Sequence, residues 1–149
     1  MKKYKSNISE LSLKRNESNY KKVKIGSSDD AADYVRQFYH DDITIYESVF
    51  MLLLNRANNT IGYVKISQGG ITGSVVDPKL ILKFTIDALA SGVILVHNHP
   101  SGNLQPSEGD KEVTHRVKTL LNLCDTKLLD HVILTEKSYF SFADNGILN

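Results

Sequence analysis

Apolar and polar positions alternate between two periods along this chain, and the changes of period mark out its elements. Ser27 stands where a helix cap belongs, and Asp30 three residues later completes a capping-box pattern. Ala31, Ala32, Tyr34, Val35 and Phe38 follow at helical spacing, which predicts a helix ending near His40. Residues 45–54 are nearly continuous in apolar side chains and predict a strand covered on both faces. Asn58-Asn59 signals a turn, so Ile61 to Ser67 reads as the returning strand of a hairpin. After Gly69-Gly70, a short strand is expected around Ile71–Val76.

Asp77-Pro78 opens a second helix, with Asp as the cap and Pro at the first helical position. Leu80, Ile81, Phe84, Ala88 and Leu89 form its apolar side, and Gly92 is expected to close it with a positive φ. Val93 to Val96 is a short buried strand, and a polar loop from His97 to Pro106 leads to a third helix beginning at Ser107. Leu128–Leu134 and Tyr139–Phe142 read as the last strands. Together these elements predict an α/β fold: a mixed β-sheet with flanking helices, close to three layers.

Composition narrows the setting. The 149 residues suit one compact domain, and 41% hydrophobic against 23% charged residues excludes wholesale disorder. No apolar run is long enough to span a bilayer, and the first residues lack the apolar stretch of a secretory signal. Cys124, the only cysteine, has no disulfide partner within the chain and reads as a small buried residue at a helix end. A cytoplasmic protein with no membrane association is the expectation. The net charge of +1 hides an asymmetry: residues 1–24 carry eight Lys or Arg against Glu10 and Glu17. This basic leader, set against a domain at 25–149, is either a solvated segment or a contact for nucleic acid. Tyr4 and Tyr20 stand isolated in it, without the aromatic interleaving of base-stacking sites.

The chemistry gathers between His97 and Asp110. His97 and His99 are two apart at the end of a buried strand, so on extended backbone their side chains point the same way. Asp110 falls in the first turn of the next helix, where Ser107 and Asp110 also form a capping box. Two readings stand: a helix cap beside two loop histidines, or two imidazoles and a carboxylate sharing a metal. The convergence of all three on one strand end favours the metal.

His-x-His, seven residues, Ser, two residues, Asp is the signature of the JAMM (JAB/MPN) metalloproteases. The run His97-Asn98-His99-Pro100-Ser101-Gly102, with Pro106-Ser107, Asp110 and later Leu129-Asp130-His131-Val132-Ile133, resembles the RadC-like branch from about Ser27 onward. The resemblance implies a cytidine-deaminase-like fold and Zn²⁺ held by His97, His99 and Asp110. It also implies a general-base glutamate from an earlier strand, whose place Glu47 occupies, and a role for Ser107 in holding a developing oxyanion. A strand-edge surface charge is the plainer reading of Glu47. Asp130-His131 reads either as outer support for a ligating imidazole or as a structural pair, and Asn98 as structural. Longer RadC-like proteins carry a helix-hairpin-helix region where this sequence has residues 1–24.

The leading expectation is therefore a zinc peptidase or isopeptidase. The alternatives are a nucleic-acid-associated factor in DNA repair or mobile-element biology, and a metal-binding interaction domain without catalysis. Oligomeric state stays open.

Overall fold

The computed structural model describes residues 8–12, 14–69 and 75–148. Helix α1 spans Ser28–Val35 and runs into a 3-10 turn at Arg36–Phe38. Strands β1 (Ser48–Leu54) and β2 (Thr60–Gln68) form the hairpin, followed by α2 (Pro78–Asp87) and β3 (Gly92–Asn98). Helix α3 (Glu108–Asn122), β4 (Lys127–Leu134) and β5 (Tyr139–Ser141) complete the described chain. The sheet order is β2-β1-β3-β4-β5. Only β3 and β4 run parallel, joined by α3, so the sheet is mixed as its sequence pattern predicts.

Strands β1 and β3 lie inside the sheet and are buried at every position, which explains their unbroken apolar character. Alternate residues divide between two cores. Phe50, Leu52, Leu54, Ile94 and Val96 pack with Ala31, Ala32 and Val35 of α1. Val49, Met51, Leu53, Val93 and Leu95 pack with Ile81 of α2 and with Val117 and Leu121 of α3. The result is three layers, and position 97 continues the face that α3 covers.

Several boundaries differ from the sequence expectation. Strand β1 starts at Ser48 because residues 41–45 form a turn, closed by the Ile45 N–H on the Asp42 carbonyl at 2.9 Å. Ile45 and Tyr46, apolar in sequence, are exposed there. The α1 capping box is half formed: Ser27 accepts from the Asp30 N–H, but Asp30 reaches back to the N–H of Gly26.

Gly92 does not close α2. Leu89 takes the left-handed conformation with φ 51°, while the Ala90 N–H bonds the Thr85 carbonyl and the Leu89 N–H that of Ile86. Gly92 instead begins β3, where a Cβ would sit 2.7 Å from a Leu129 methyl, so a larger residue there would displace the Leu129 side chain. Of the strand expected at 71–76, residues 71–74 lie outside the described residues, and Val75-Val76 is not strand. Cys124 is exposed, not buried.

Tyr20 is not isolated in space. Its ring lies 5.2 Å from Tyr63 and 5.6 Å from Phe38, and its hydroxyl donates to the Gln37 carbonyl. Val23 and Thr60 exchange hydrogen bonds, so residues 20–24 are packed onto the start of β2. Among the described residues no helix is long and apolar enough to cross a membrane.

Candidate metal centre

The sheet presents a cluster of imidazoles at the carboxyl end of β3, beside the start of α3. His97 is the penultimate residue of β3 and is 3% exposed. It belongs to the strand, not to the loop the sequence suggested. Its neighbour Asn98 faces the opposite way and is fully buried. The Asn98 amide donates to the Ile43 and Tyr46 carbonyls and accepts from the Ser48 N–H, which ties the turn before β1 to the end of β3. Asn98 is structural, as expected.

His99 follows at the strand exit, held by its N–H on the Leu134 carbonyl at 2.8 Å. The loop then folds back, and the Asn103 carbonyl lies 2.6 Å from His99 Nδ1. A carbonyl can only accept, so Nδ1 carries a hydrogen and Nε2 is the nitrogen turned toward the cluster. Ser101 helps order this loop by accepting from the Asn103 N–H.

Asp110 arrives from the first turn of α3. Ser107 caps that helix in a full box: its hydroxyl accepts from the Asp110 N–H, and Asp110 Oδ2 accepts from the Ser107 N–H. The two readings of this pair are therefore one arrangement. The box aims the carboxylate, whose other contacts are the histidines. Asp110 Oδ1 is 3.2 Å from His97 Nε2, and Oδ2 is 3.4 Å from His99 Nε2. The two Nε2 atoms are 2.9 Å apart.

These three donors fit a metal ion. All their ligating atoms lie within 4.8 Å of one another. A tetrahedral zinc with bonds near 2.0–2.1 Å separates its ligand atoms by about 3.3 Å. The two nitrogens are 2.9 Å apart, and each lies 3.2 or 3.4 Å from one of the two Asp110 oxygens, separations of that order. Electrostatics agrees. Burial pushes the Asp110 carboxyl up, but hydrogen bonds from His97 and His99 outweigh it and hold the group well below the usual carboxylate range. His99 is raised, first by its hydrogen bond to Asp110, with burial opposing and the Asn103 carbonyl and the charges of Asp110 and Glu47 adding. The anion thus draws positive charge into the cluster.

Glu47 lies immediately before β1 and is half-buried. The β1–β3 pairing ends at Val49 with His97, and Glu47 lies two residues beyond, near enough for its charge to raise His99. It is not in the group that could hold a metal, which is His97, His99 and Asp110. His131, on β4, touches His97: its Nε2 is 2.7 Å from His97 Nδ1. Its partner Asp130 faces away and accepts from Ser141 and from the Ala143 N–H, so the two neighbours serve different ends of the fold. Thr114 of α3, 2.6 Å from His131 Nδ1, carried no signal in sequence beyond its spacing of four from Asp110. His40 and His115 are exposed, as expected.

A mixed α/β sheet with a buried His-x-His at a strand end and a helix-borne aspartate defines a JAB-type domain with a metal-binding donor set. Residues 25–147 match the RadC-like JAB domain, and the chain belongs to that family. A UPF0758 protein of Flavobacterium johnsoniae is 42% identical over 133 residues, covering 89% of this chain and 57% of the relative. One from Chlorobaculum parvum is 38% identical over 125 residues, covering 84% and 55%. A third, from Porphyromonas gingivalis, is 42% identical over 103 residues, covering 68% and 45%. The chain thus spans about half the length of these relatives.

Proposed function

We propose that the domain is a zinc-dependent hydrolase of the JAMM type, acting on peptide or isopeptide bonds. The observation that carries this reading is the convergence of His97 Nε2, His99 Nε2 and the Asp110 carboxylate, at separations near those between ligands of a tetrahedral zinc. Two nitrogens and one carboxylate suit zinc, and three protein ligands leave a fourth position for water. Bound there, zinc supplies a water of lowered pKa and a Lewis acid toward a carbonyl.

The chain's own residues complete the chemistry. Glu47, whose charge reaches His99, takes the proton of the attacking water and passes it to the leaving amine. The Ser107 hydroxyl accepts from the Asp110 N–H and, among the described residues, donates its own proton to no protein group. That proton is available to a developing oxyanion. Burial of His97 and the fold-back of the loop onto His99 hold the ligands rigid, so the geometry exists before substrate arrives.

The test is turnover of a peptide and isopeptide library by zinc-loaded protein. Cleavage that stops on chelation and returns with zinc is expected. Full zinc occupancy without cleavage of any member favours the interaction domain instead. A second reading rests on Lys14, Arg15, Lys21, Lys22 and Lys24, all exposed in the leader. Salt-sensitive retention on DNA, lost when these residues are neutralised, supports a nucleic-acid role.

A further inference from the structure

Behind His97, on the side away from His99 and Asp110, a hydrogen-bond chain runs back into α3. His97 Nδ1 is 2.7 Å from His131 Nε2, and His131 Nδ1 is 2.6 Å from the Thr114 hydroxyl. That hydroxyl lies 2.7 Å from the backbone carbonyl of Asp110. Counting protons gives each bond a direction. The Asp110 carbonyl can only accept, so it takes the one proton of Thr114. A threonine bonding back one helical turn is ordinary, but here it leaves Thr114 Oγ1 as an acceptor toward His131. His131 Nδ1 therefore carries a hydrogen.

His131 is 2% exposed and stacked on Phe142 with centroids 4.7 Å apart. Among the described residues no carboxylate touches its ring. Its Nε2 faces His97 Nδ1, so with hydrogen on its own Nδ1 the ring presents an acceptor there. A metal on His97 Nε2, the atom that faces His99 and Asp110, leaves the His97 proton on Nδ1, where that acceptor receives it. A His131 ring reversed in tautomer would instead donate to His97 Nδ1 and place a hydrogen on His97 Nε2, blocking it as a ligand.

We infer that Thr114 and His131 are positioning residues that fix the tautomer and ring angle of His97 for metal binding, with the Asp110 backbone carbonyl as their anchor. Asp110 then closes a ring of contacts. Its carboxylate stands beside His97 Nε2, while its carbonyl, through Thr114 and His131, dictates the proton on His97 Nδ1. Any shift of the α3 first turn moves ligand and tautomer control together. This inference rests on the metal reading of the site but makes a claim that can be checked without metal.

The experiment compares wild type with Thr114→Val, Thr114→Ser and His131→Phe. Thr114→Val keeps the volume and removes the hydroxyl; His131→Phe keeps the stack on Phe142. Zinc affinity is measured by competition with a chelating dye, and the His97 and His131 tautomers by ¹⁵N NMR of the imidazole nitrogens in metal-free and zinc-loaded protein. Thr114→Val and His131→Phe should bind zinc roughly 10–100-fold more weakly, the usual cost of losing such a partner. Thr114→Ser should stay near wild type. Zinc-loaded wild type should show hydrogen on Nδ1 of both His97 and His131, and Thr114→Val a mixture of His131 tautomers. Thr114→Val with wild-type affinity and an unchanged His131 spectrum overturns the inference, whether or not His131→Phe folds. So does a zinc-loaded wild type whose His131 carries its hydrogen on Nε2. Wild-type protein that binds no zinc yet shows the His131 hydrogen on Nδ1 overturns the metal reading and leaves the direction of the chain standing.

Discussion

Each residue of the site contributes one separable property, and substitution should separate them. Glu47→Gln keeps the size and a hydrogen bond to water but cannot take a proton. Zinc should stay bound while hydrolysis falls by roughly 10²–10⁴-fold, the usual weight of a general base. His99→Ala removes a ligand, so that protein should lose both zinc and activity. Elemental analysis beside an assay checks the contrast, and a Glu47→Gln enzyme working at the wild-type rate would remove Glu47 from the mechanism. Ser107 joins two duties that glycine can split. Glycine at a helix cap costs only a few tenths of a kcal/mol, whereas a lost oxyanion donor costs about 10²–10³ in rate. Ser107→Gly should therefore melt near wild type but turn over far more slowly. The three ligands were readable because their spacing is local: two residues within a strand, then a cap on the next helix. His131 was ambiguous because its partners, Thr114 and His97, come from two other elements.

At the scale of elements, local punctuation gave correct starts and tertiary contacts decided several ends. The caps at Asp77 and Ser107 depend on one to three neighbouring residues and lie where their sequence puts them. Gly92 carried a signal with two explanations, a left-handed helix end or a close approach, and only the position of Leu129 chooses the second. The helix end falls on Leu89, which pays the left-handed strain while 79% exposed. Leu89→Gly removes that strain and loses little burial. It should stabilise the protein by about 0.5–1 kcal/mol after the extra freedom glycine gives the unfolded chain. Denaturant melts measure this, and a destabilised variant would show that the Leu89 side chain is held by contacts. The early start read for β1 has a similar origin: Ile45 and Tyr46 extend an apolar run, but the Asp42 turn keeps them outside the sheet.

For the whole molecule, the basic segment is not all detached from the domain: Tyr20 packs on Phe38 and Tyr63. A composition shift locates the basic segment, yet Tyr20 joins rings from Phe38 and Tyr63 that are far from it in sequence, so no local pattern marks it as packed. Removing residues 1–19 should leave stability and zinc unchanged. Removing 1–24 also strips Tyr20 and the Val23–Thr60 hydrogen bonds and should cost about 1–3 kcal/mol. Melts of the two truncations compare directly, and equal stability would return Tyr20 to the leader. The candidate metal centre at His97, His99 and Asp110 should survive both truncations because its support comes from β3, β4 and α3.

The central claim, that β3 and α3 together build a zinc site with one open position, is tested most directly by anomalous diffraction at the zinc edge from zinc-loaded crystals. The account predicts one peak per chain, bonded to His97 Nε2, His99 Nε2 and an Asp110 oxygen at about 2.0–2.2 Å, with water as fourth ligand. The Glu47 carboxylate should lie within hydrogen-bond reach of that water. A map with no peak between the three side chains, or a zinc bound elsewhere while His97 and His99 keep a proton between them, would contradict it.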